Sequence, residues 1–446
     1  MNQPLRIAMF VGQFPVVSET FILRQITGLI DLGHEVDIYA DTRGEMAVAH
    51  PEVDRYRLLE RTTFMDMPEA SAPWELSAWP LDGETWLPGA SDPIPNWKRL
   101  ADALPALGRC LERAPALTEQ ALSPEHHGHQ SRSLSALYRL DRLSARAGGY
   151  DVLHAHFGPV GDSFRVARQL WRAPLVVSFH GYDFSTLPRK HGPGMYEKLF
   201  TTADTVTVNS EFTRRRMEAL GCAVEKIRLL PMGIGLAEFP FRLREQKAGE
   251  PVRLITVARL VEIKGHEFAL RAVAKVRSRQ PNLRYDIVGD GPLRQKLEAL
   301  VADLGLREAV TLHGARDGAF VRELLIDAHL ALLASVNLEG DAEGQGLFLQ
   351  EAQACGLPVV ATQHGALPEG LAPGKSGFLV PERDVDALAE RLEHLVTHPE
   401  VWEEMGRAGR ALVKERYDIR QLNDRLVELY REASSAFRDR NLRGTS

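Results

Sequence analysis

Short apolar segments alternate with segments of helical spacing along most of the chain. Residues 6–11 (RIAMFV) predict a buried strand, residues 20–32 repeat apolar side chains every three or four positions, and residues 35–40 (EVDIYA) predict a second strand. Gly33 follows the helical segment, as glycine often does at a helix end. A strand–helix–strand order of this kind builds parallel sheets with right-handed crossovers.

The same alternation returns in two longer sets. The first half predicts strands at 151–157, 174–180, 205–210 and 227–234, and the second half predicts strands at 252–259, 283–290, 310–314, 330–335, 358–362 and 377–380. Segments of helical spacing separate most of these strands, and from residue 384 onward the chain is helical. The sequence therefore predicts an α/β protein with two doubly wound, Rossmann-like parallel-sheet domains.

Prolines and glycines near 231–240 predict a hinge between the two domains. We expect an N-terminal domain at 1–232, a C-terminal domain at 233–420 and a last helical segment at 421–446. Residues 43–130 are rich in Pro, Trp and His and have weak periodicity, which indicates an insertion that is helical over 98–121. This insertion is either a variable surface excursion or an acceptor-binding lid.

Residues 131–147 place four arginines among Leu, Ala and Tyr at helical spacing. This pattern predicts a helix with one face in the core and one face in solvent, and a helix lying on a membrane surface is the alternative.

Composition narrows the classes of function. The chain has 446 residues, 26% of them charged, a net charge of −6 and no strongly basic region, which argues against nucleic acid as a partner. No apolar run approaches the roughly 20 residues that span a bilayer, and the N-terminus lacks the pattern of a signal peptide. We therefore expect a cytoplasmic protein. The three cysteines are far apart in sequence, which fits reduced thiols better than disulfides or a zinc site.

Two glutamates in the second half flank a glycine-rich turn. Glu343 and Glu351 are separated by GQGLFLQ, and a helix is predicted to begin at about Leu347. Glycine lets the backbone approach a ligand closely, and the N–H groups at a helix start attract an anion. Glu351 lies one turn into the helix, where its carboxylate can accept hydrogen bonds from a ribose diol.

The segment GLFLQEAQACGLPVVATQHGALPEGL, with the two glutamates before and within it, resembles the signature of the family 4 retaining glycosyltransferases. The resemblance implies the GT-B fold, in which two Rossmann-like domains face each other across a cleft. It also implies that Glu343 contacts the donor hexose and Glu351 the ribose. Gly346, Leu347 and Phe348 would then donate backbone N–H groups to the diphosphate.

Two cations follow the first predicted strand of the second half, in VARLVEIKGHE (257–267). Arg259 and Lys264 stand at the carboxyl end of a parallel strand, where ligands bind in such folds. They could neutralise a diphosphate leaving group without a metal. In the family the Arg and Lys of this motif have that role, and the alternative is a solvated pair in a loop.

Three motifs of the first half complete the resemblance. His180 in SFHGYD matches the family's His-Gly element near the donor sugar, which implies a catalytic or orienting role, and Asp183 is a weaker acceptor-side candidate. The family's first loop lies beside the diphosphate. This implies a donor contact at Gly12, although the paired glycines of many members are absent here.

The pattern FP-x-x-SETF resembles the exopolysaccharide branch, so Glu19 could touch the acceptor sugar. Ser18 is either an acceptor contact or a helix N-cap.

Other motifs suggest alternatives that we set aside. Asp290 in VGDGP is interpreted as part of a turn near the nucleotide base, because a lone G-x-G is a weak dinucleotide signal. HAHFG (154–158) and the acidic segment 339–344 could suggest metal ligands, but the first lacks a third ligand and the nearby cations already serve the diphosphate. We expect no metal and no cofactor.

The resemblance implies a retaining hexosyltransferase whose donor substrate is a nucleotide diphosphate sugar, a UDP-hexose in preference to GDP-mannose. The two cations near the diphosphate lead us to expect that it works without a metal. We expect the acceptor to be a saccharide on a lipid carrier, which would bring the enzyme to the inner face of the membrane as a peripheral protein. Two rival classes are an epimerase or glycosyl phosphorylase of the same fold and a non-catalytic module that binds nucleotide sugars.

Overall fold

The computed structural model describes residues 3–16, 19–44, 50–67, 96–247 and 249–443. The chain divides into two compact units. The first contains residues 1–208, 214–230 and 423–446, and the second contains residues 209–213 and 231–422. Each unit is built around one parallel sheet.

The described strands of the first unit are β1 (Arg6–Phe14), β2 (Glu35–Arg43), β3 (Thr62–Phe64), β4 (Val152–His156), β5 (Leu175–Phe179), β6 (Thr205–Val208) and β7 (Ile227–Leu229). They pair in the order β3-β2-β1-β4-β5-β6-β7, and all pairs are parallel. Strands β4 and β5 are buried along their whole length, as expected when helices cover both faces of a parallel sheet.

The described strands of the second unit are β8 (Val252–Val257), β9 (Leu283–Val288), β10 (Val310–Leu312), β11 (Leu330–Leu333), β12 (Val359–Thr362) and β13 (Gly377–Val380). Their order is β10-β9-β8-β11-β12-β13, again all parallel. In each unit the strand order reverses beside the first strand, and this reversal creates the crevice where ligands of such folds bind. The fold class predicted from the sequence is confirmed.

Helices connect the strands. They are α1 (Thr20–Asp31), α2 (Pro51–Arg55), α3 (Asn96–Arg113), α4 (Pro115–Leu122), α5 (Pro124–His127), α6 (His129–Arg132), α7 (Ser135–Ser144), α8 (Gly158–Ser163), α9 (Arg165–Trp171), α10 (Thr186–His191), α11 (Glu197–Thr202), α12 (Glu211–Ala219), α13 (His266–Arg277), α14 (Arg294–Asp303), α15 (Gly318–Asp327), α16 (Leu347–Ala354), α17 (Val385–Thr397), α18 (Trp402–Arg416) and α19 (Ile419–Arg443). In the part of the chain that the structure describes, no helix is both long and apolar enough to cross a membrane.

The segment expected to be an insertion contains regular structure where it is described. Strand β3 extends the first sheet beside β2, and α3 to α5 follow after residues that lie outside the described ranges. The sequence did not predict β3, because a strand of three half-buried residues has too little periodicity to be recognised. The expectation of a helix over 98–121 agrees with α3 and α4.

Helix α7 lies in the core of the first unit. Its residues from Ser135 to Asp141 are buried, and Arg139 is fully buried and forms an ion pair with Asp41 at 3.0 Å. The prediction of a core-facing helix is therefore correct, but the helix is shorter than 131–147 and Ser135–Asp141 has no solvated face. The membrane-surface alternative is wrong.

The last helix, α19, packs on the first sheet through polar contacts within the first unit. The Tyr430 hydroxyl lies 2.6 Å from Nδ1 of His154 on β4, and the Ser434 hydroxyl donates to the carbonyl oxygen of Asp151 at 2.7 Å. Tyr430 is fully buried, so this contact belongs to the core of the unit.

Candidate active site

The candidate site of the second unit lies where its strand order reverses. Strand β8 pairs with β9 on one side and with β11 on the other. The segments that follow β8 and β11 therefore leave the sheet at the same edge and on either side of the reversal. These two segments carry Arg259 and Lys264 in one case and Glu343 in the other.

Lys264 and Glu343 form an ion pair across this reversal. The Lys264 ammonium donates to Oε1 of Glu343, and the Ser335 hydroxyl donates to the same oxygen at 3.0 Å. Glu343 is 9% exposed. Burial by itself would raise the pKa of this carboxyl, but the charge and hydrogen bond of Lys264, with the Ser335 bond, outweigh burial and lower the pKa below its usual value. The carboxylate is therefore ionised at neutral pH.

The turn that carries Lys264 has a constrained backbone. Lys264 ends a 3₁₀ turn (Glu262–Lys264), and Gly265 follows with φ +61° and caps α13. His266 lies 2.9 Å from the carbonyl oxygen of Arg259 through Nε2. Burial lowers the pKa of His266 to about 4, so the neutral ring donates this bond and closes the loop. The Arg259 side chain is exposed at the start of the loop.

Helix α16 begins directly after the glycine-rich turn. Gly346 precedes it with φ +77°, a conformation that favours glycine, and Leu347 and Phe348 form its first turn. The first N–H groups of a helix have no acceptor within the helix and carry the positive end of its dipole. Glu351 lies four residues after Leu347, so both side chains are on one face of the helix. These positions match the arrangement inferred from the sequence, and their roles stay predictions.

Gln345 was not recognised from the sequence. Its side-chain amide makes two hydrogen bonds with the backbone of Met232: Oε1 accepts from the N–H at 2.7 Å and Nε2 donates to the carbonyl at 2.8 Å. The glycine-rich turn is thus fixed to the segment at 231–234. A glutamine between two glycines is a common pattern, and only the fold brings Met232 close to it.

Asp290 lies in the turn after β9, as the sequence suggested. Its carbonyl oxygen accepts the N–H of Leu260 at 2.9 Å, and its carboxylate accepts the N–H of Gly291 at 2.8 Å. The first bond joins the turn after β9 to the loop that carries Arg259, and the second lies within the turn. A contact of Asp290 with a nucleotide base stays a prediction.

The candidates at the start of the first unit are placed differently from expectation. Strand β1 continues to Phe14, so Gly12 is a strand residue and the predicted loop from Gly12 onward begins too early. The extension of β1 beyond Val11 was not predicted, because Gly12 and the polar Gln13 interrupt the apolar run of the strand. Glu19 stands at the start of α1, and burial raises its pKa to about 8. Ser18 lies outside the described residues.

His180 belongs to a group of three histidines at the carboxyl ends of β4 and β5. Its Nε2 lies 3.1 Å from Nδ1 of His156, and the two rings stack with 5.3 Å between their centroids. The ring nitrogens of His154 contact Tyr430 at 2.6 Å and Ser178 at 2.7 Å. His154 is thus held by protein partners on both sides, in agreement with a structural role for the HAHFG motif.

Asp183 is fully buried beside this group. Its carboxylate accepts the N–H groups of Gly158 at 3.2 Å, His180 at 3.1 Å and Gly181 at 2.8 Å. Burial raises the pKa of Asp183 to about 6 despite these bonds. The contacts give Asp183 a local role, which is to hold the turn that presents His180. A contact with the acceptor stays a prediction.

The histidines predict how stability depends on pH. Burial lowers the pKa of His154 and of His180 to about 3, and that of His156 well below its usual value. The unfolded chain binds these protons near pH 6.5 and the folded chain does not, so stability is retained above that pH and lost below it. We expect a loss of about 1.4 kcal/mol per pH unit for each histidine between about pH 6 and about pH 4.

Urea unfolding at several pH values measures this dependence. His154→Gln should reduce its slope by about one proton. His398→Gln, a change at an exposed histidine, serves as the control and should leave the slope unchanged. Equal slopes for the wild type and His154→Gln would show that His154 titrates normally in the folded protein.

Two doubly wound parallel sheets, with cations and a helix start at the strand reversal of the second, define a glycosyltransferase of the GT-B class. Residues 18–233 match the family model described as glycosyl transferase 4-like domain, and residues 240–412 match glycosyl transferases group 1. The chain belongs to glycosyltransferase family 4.

Relatives similar over most of their length support this assignment. WcaL of Salmonella typhimurium, named for colanic acid biosynthesis, is 33% identical over 393 residues, which are 87% of this chain and 90% of WcaL. The amylovoran biosynthesis glycosyltransferase AmsK of Erwinia amylovora is 32% identical over 398 residues, 88% of this chain and 90% of AmsK. The resemblance to the exopolysaccharide branch is thereby confirmed.

A solved structure shares the fold. Anabaena HepE, solved in complex with UDP and glucose, superimposes with a TM-score of 0.65 over 96% of this chain and all of HepE, at 15% sequence identity. At that identity the comparison supports the fold alone.

Proposed function

We propose that this glycosyltransferase transfers a hexose from a UDP-hexose to a saccharide acceptor during the synthesis of an exopolysaccharide, without a metal and with retention of the anomeric configuration. The observation that carries the proposal is the Lys264–Glu343 pair, held by Ser335 beside the start of α16. A cation, an ionised carboxylate and the N–H groups of a helix start at one sheet edge suit a sugar diphosphate.

In this proposal the diphosphate is bound by charge and by backbone groups. Lys264 and Arg259 would neutralise the negative charge that develops as the diphosphate leaves, and the N–H groups of Gly346, Leu347 and Phe348 would donate to its oxygens. Glu343 would contact the hexose and Glu351 the ribose. Since the protein itself supplies the positive charge, the scheme contains no metal.

Retention is proposed to follow from attack on the face that the diphosphate leaves. The bond between C1 of the hexose and the diphosphate oxygen breaks, and the acceptor hydroxyl oxygen bonds to C1 on the same face. The hydroxyl proton passes to the departing diphosphate oxygen. His180, half-buried and neutral at physiological pH, would orient the hexose or the acceptor without adding charge.

The donor and acceptor are inferred from the relatives. UDP and glucose are bound in HepE, which favours a UDP-hexose, and a GDP-sugar is the alternative because ribose and diphosphate contacts are common to both. WcaL and AmsK are named for colanic acid and amylovoran biosynthesis. We propose that the acceptor is a saccharide on a lipid carrier and that the enzyme associates peripherally with the inner face of the membrane.

A screen of nucleotide sugars by thermal unfolding in the presence of EDTA tests donor binding. A bound donor stabilises the folded protein by mass action, by about 2.7 kcal/mol at a hundred times its Kd, so we expect a UDP-hexose to raise the Tm and free hexose to leave it unchanged. Stabilisation that appears only when a divalent cation is added would contradict the metal-free scheme. Stabilisation by GDP-sugars alone would show that the donor is a GDP-sugar and not a UDP-hexose.

Product analysis separates the rival classes. Incubation of the donor without acceptor would convert it to an isomer if the chain were an epimerase, and inorganic phosphate would be required by a phosphorylase. A non-catalytic module would bind donor and form no glycoside with any acceptor. NMR of the glycoside formed from an α-linked donor should show an α linkage, and a β linkage would refute retention.

A further inference from the structure

Glu343 is held at its backbone as well as at its carboxylate. Its N–H donates to Nε2 of His364 at 3.1 Å, and its carbonyl oxygen accepts the N–H of Ala366 at 2.9 Å. Between these two, Gly365 has φ +53°, and a Cβ there would lie 2.4 Å from the carbonyl oxygen of Glu343. Residues 364–366, which follow β12, therefore enclose the backbone of Glu343 closely.

The partners of His364 select one form of its ring. A backbone N–H can only donate, so Nε2 must carry no proton, and the neutral ring must carry its proton on Nδ1. Nδ1 lies 2.8 Å from Oε1 of Glu382, a carboxylate that accepts this proton in a hydrogen bond. His364 is 1% exposed, so water does not compete for either nitrogen.

Glu382, which accepts the His364 proton, also binds the start of the segment that carries Glu343. Its second oxygen accepts the N–H of Asn337 at 2.6 Å, and the Arg383 guanidinium donates to the carbonyl oxygen of Asn337 at 2.7 Å. The segment from 337 to 343 is thus held at one end by Glu382 and at the other by His364. Both side chains therefore help to fix the position of Glu343.

We propose that His364 is a positioning residue for Glu343 and that Glu382 enforces the ring tautomer this role requires. The inference rests on the proposed function, in which Glu343 contacts the donor hexose. His364 touches neither the diphosphate nor the hexose in this account. It acts by holding the Glu343 carboxylate at the position where it contacts the donor hexose.

The variant Glu382→Gln tests the proposal with little change in volume. The carboxylate accepts two hydrogen bonds, whereas the amide offers one acceptor and one donor. The variant therefore loses the Asn337 bond, or its amide donates to Nδ1 of His364 and drives the proton to Nε2, where it opposes the N–H of Glu343. Glu382 has a side chain that is 25% exposed, so the substitution is expected to leave the protein folded.

We expect Glu382→Gln to lower kcat by about tenfold to a hundredfold, since displacement of a site group by about 1 Å has effects of that size. Calorimetric titration should show that affinity for UDP changes by less than about twofold, while the extra affinity for UDP-hexose over UDP is lost. This selective loss of the hexose contribution is a result that general destabilisation would not give.

A matched control is available in the same unit. Nδ1 of His329 accepts the N–H of Arg253 at 3.0 Å, at the amino-terminal edge of the second sheet. His329→Gln removes the same kind of bond away from the site and should leave kcat and the UDP-hexose to UDP affinity ratio unchanged. If Glu382→Gln behaves as His329→Gln does, the proposal is wrong.

The ring form can be measured without any ligand. Nitrogen-15 NMR of labelled histidine should show the Nδ1–H tautomer for His364, assigned by the loss of its signal in His364→Gln, and a shift toward Nε2–H in Glu382→Gln. An Nε2–H ring in the wild type would overturn the inference. Failure of the wild type to bind any nucleotide sugar would instead refute the proposed function, and the tautomer measurement would still decide the inference.

Discussion

Lys264→Met should lower kcat/KM for glycosyl transfer by at least about a hundredfold, the size of effect seen when a preorganised group that stabilises developing charge is removed. The substitution keeps the length of the side chain and removes its charge. It also leaves the Glu343 carboxylate buried beside Ser335 with its cation missing. Burial then dominates, and the pKa of Glu343 rises because a lone buried carboxylate is costly.

The control for this variant is Lys275→Met. Lys275 pairs with Asp386 on the surface of the second unit, and both side chains are about half exposed or more. Surface pairs of this kind contribute little to stability, so the control should retain both its Tm and its turnover. Equal losses of activity in the two variants would mean that the charge of Lys264 has no special role. Initial rates with a fixed acceptor and varied UDP-hexose provide the comparison.

Gly265→Ala is expected to lower the free energy of unfolding by about 3 kcal/mol or more, since a buried steric conflict adds to an unfavourable φ. Gly265 has φ +61°, and a Cβ there would lie 1.9 Å from the carbonyl oxygen of Ala334. That oxygen belongs to the backbone, so the loop of Lys264 or the end of β11 must shift. Activity should fall as well, because Lys264 precedes this residue directly.

Gly305→Ala separates strain from steric conflict. Gly305 has a similar φ of +67°, but nothing lies within 4 Å of a Cβ built there. The free energy of unfolding of this variant should fall by only about 1 kcal/mol, which is the cost of the left-handed backbone conformation for alanine. Urea unfolding of both variants gives the difference. If the two variants are equally destabilised, the close approach of Gly265 to Ala334 does not constrain the loop.

The fold could be predicted from the sequence because its signals are local. Buried parallel strands are short apolar runs, and the helices between them show helical spacing, so β4, β5 and the strands of the second unit were recognised within a few residues. The errors occur where the signal is weak. Strand β3 has three residues, and β1 extends past Gly12 without an apolar pattern to mark its end.

The candidate site could be predicted only in part. Arg259, Lys264, Glu343 and Glu351 stand in motifs at strand ends and at a helix start, where position along the chain already suggests a ligand. Ser335 and His364 follow other strands of the same sheet, and they reach Glu343 only through the pairing of β8, β11 and β12. Contacts between distant segments of common residue types leave no pattern in a single sequence.

The first unit shows the same limit. His180 was identified by its Gly neighbour at a strand end, but its contact with His156 depends on the pairing of β4 with β5. Asp183, three residues after His180, is an acceptor-side candidate in the sequence. In the structure its carboxylate accepts hydrogen bonds from three backbone N–H groups. A carboxylate that follows a glycine turn can hold that turn or bind a ligand, and the sequence alone does not distinguish the two.

Calorimetric titration of the wild type and of Lys264→Met with UDP-hexose and with UDP, both in EDTA, tests most directly whether the second unit binds a sugar diphosphate by its own charges. The account predicts binding by the wild type without a metal, and affinity for both ligands weaker by at least about tenfold in the variant, since charge-assisted contacts contribute about 1.5–3 kcal/mol. Equal affinities in the two proteins would contradict it.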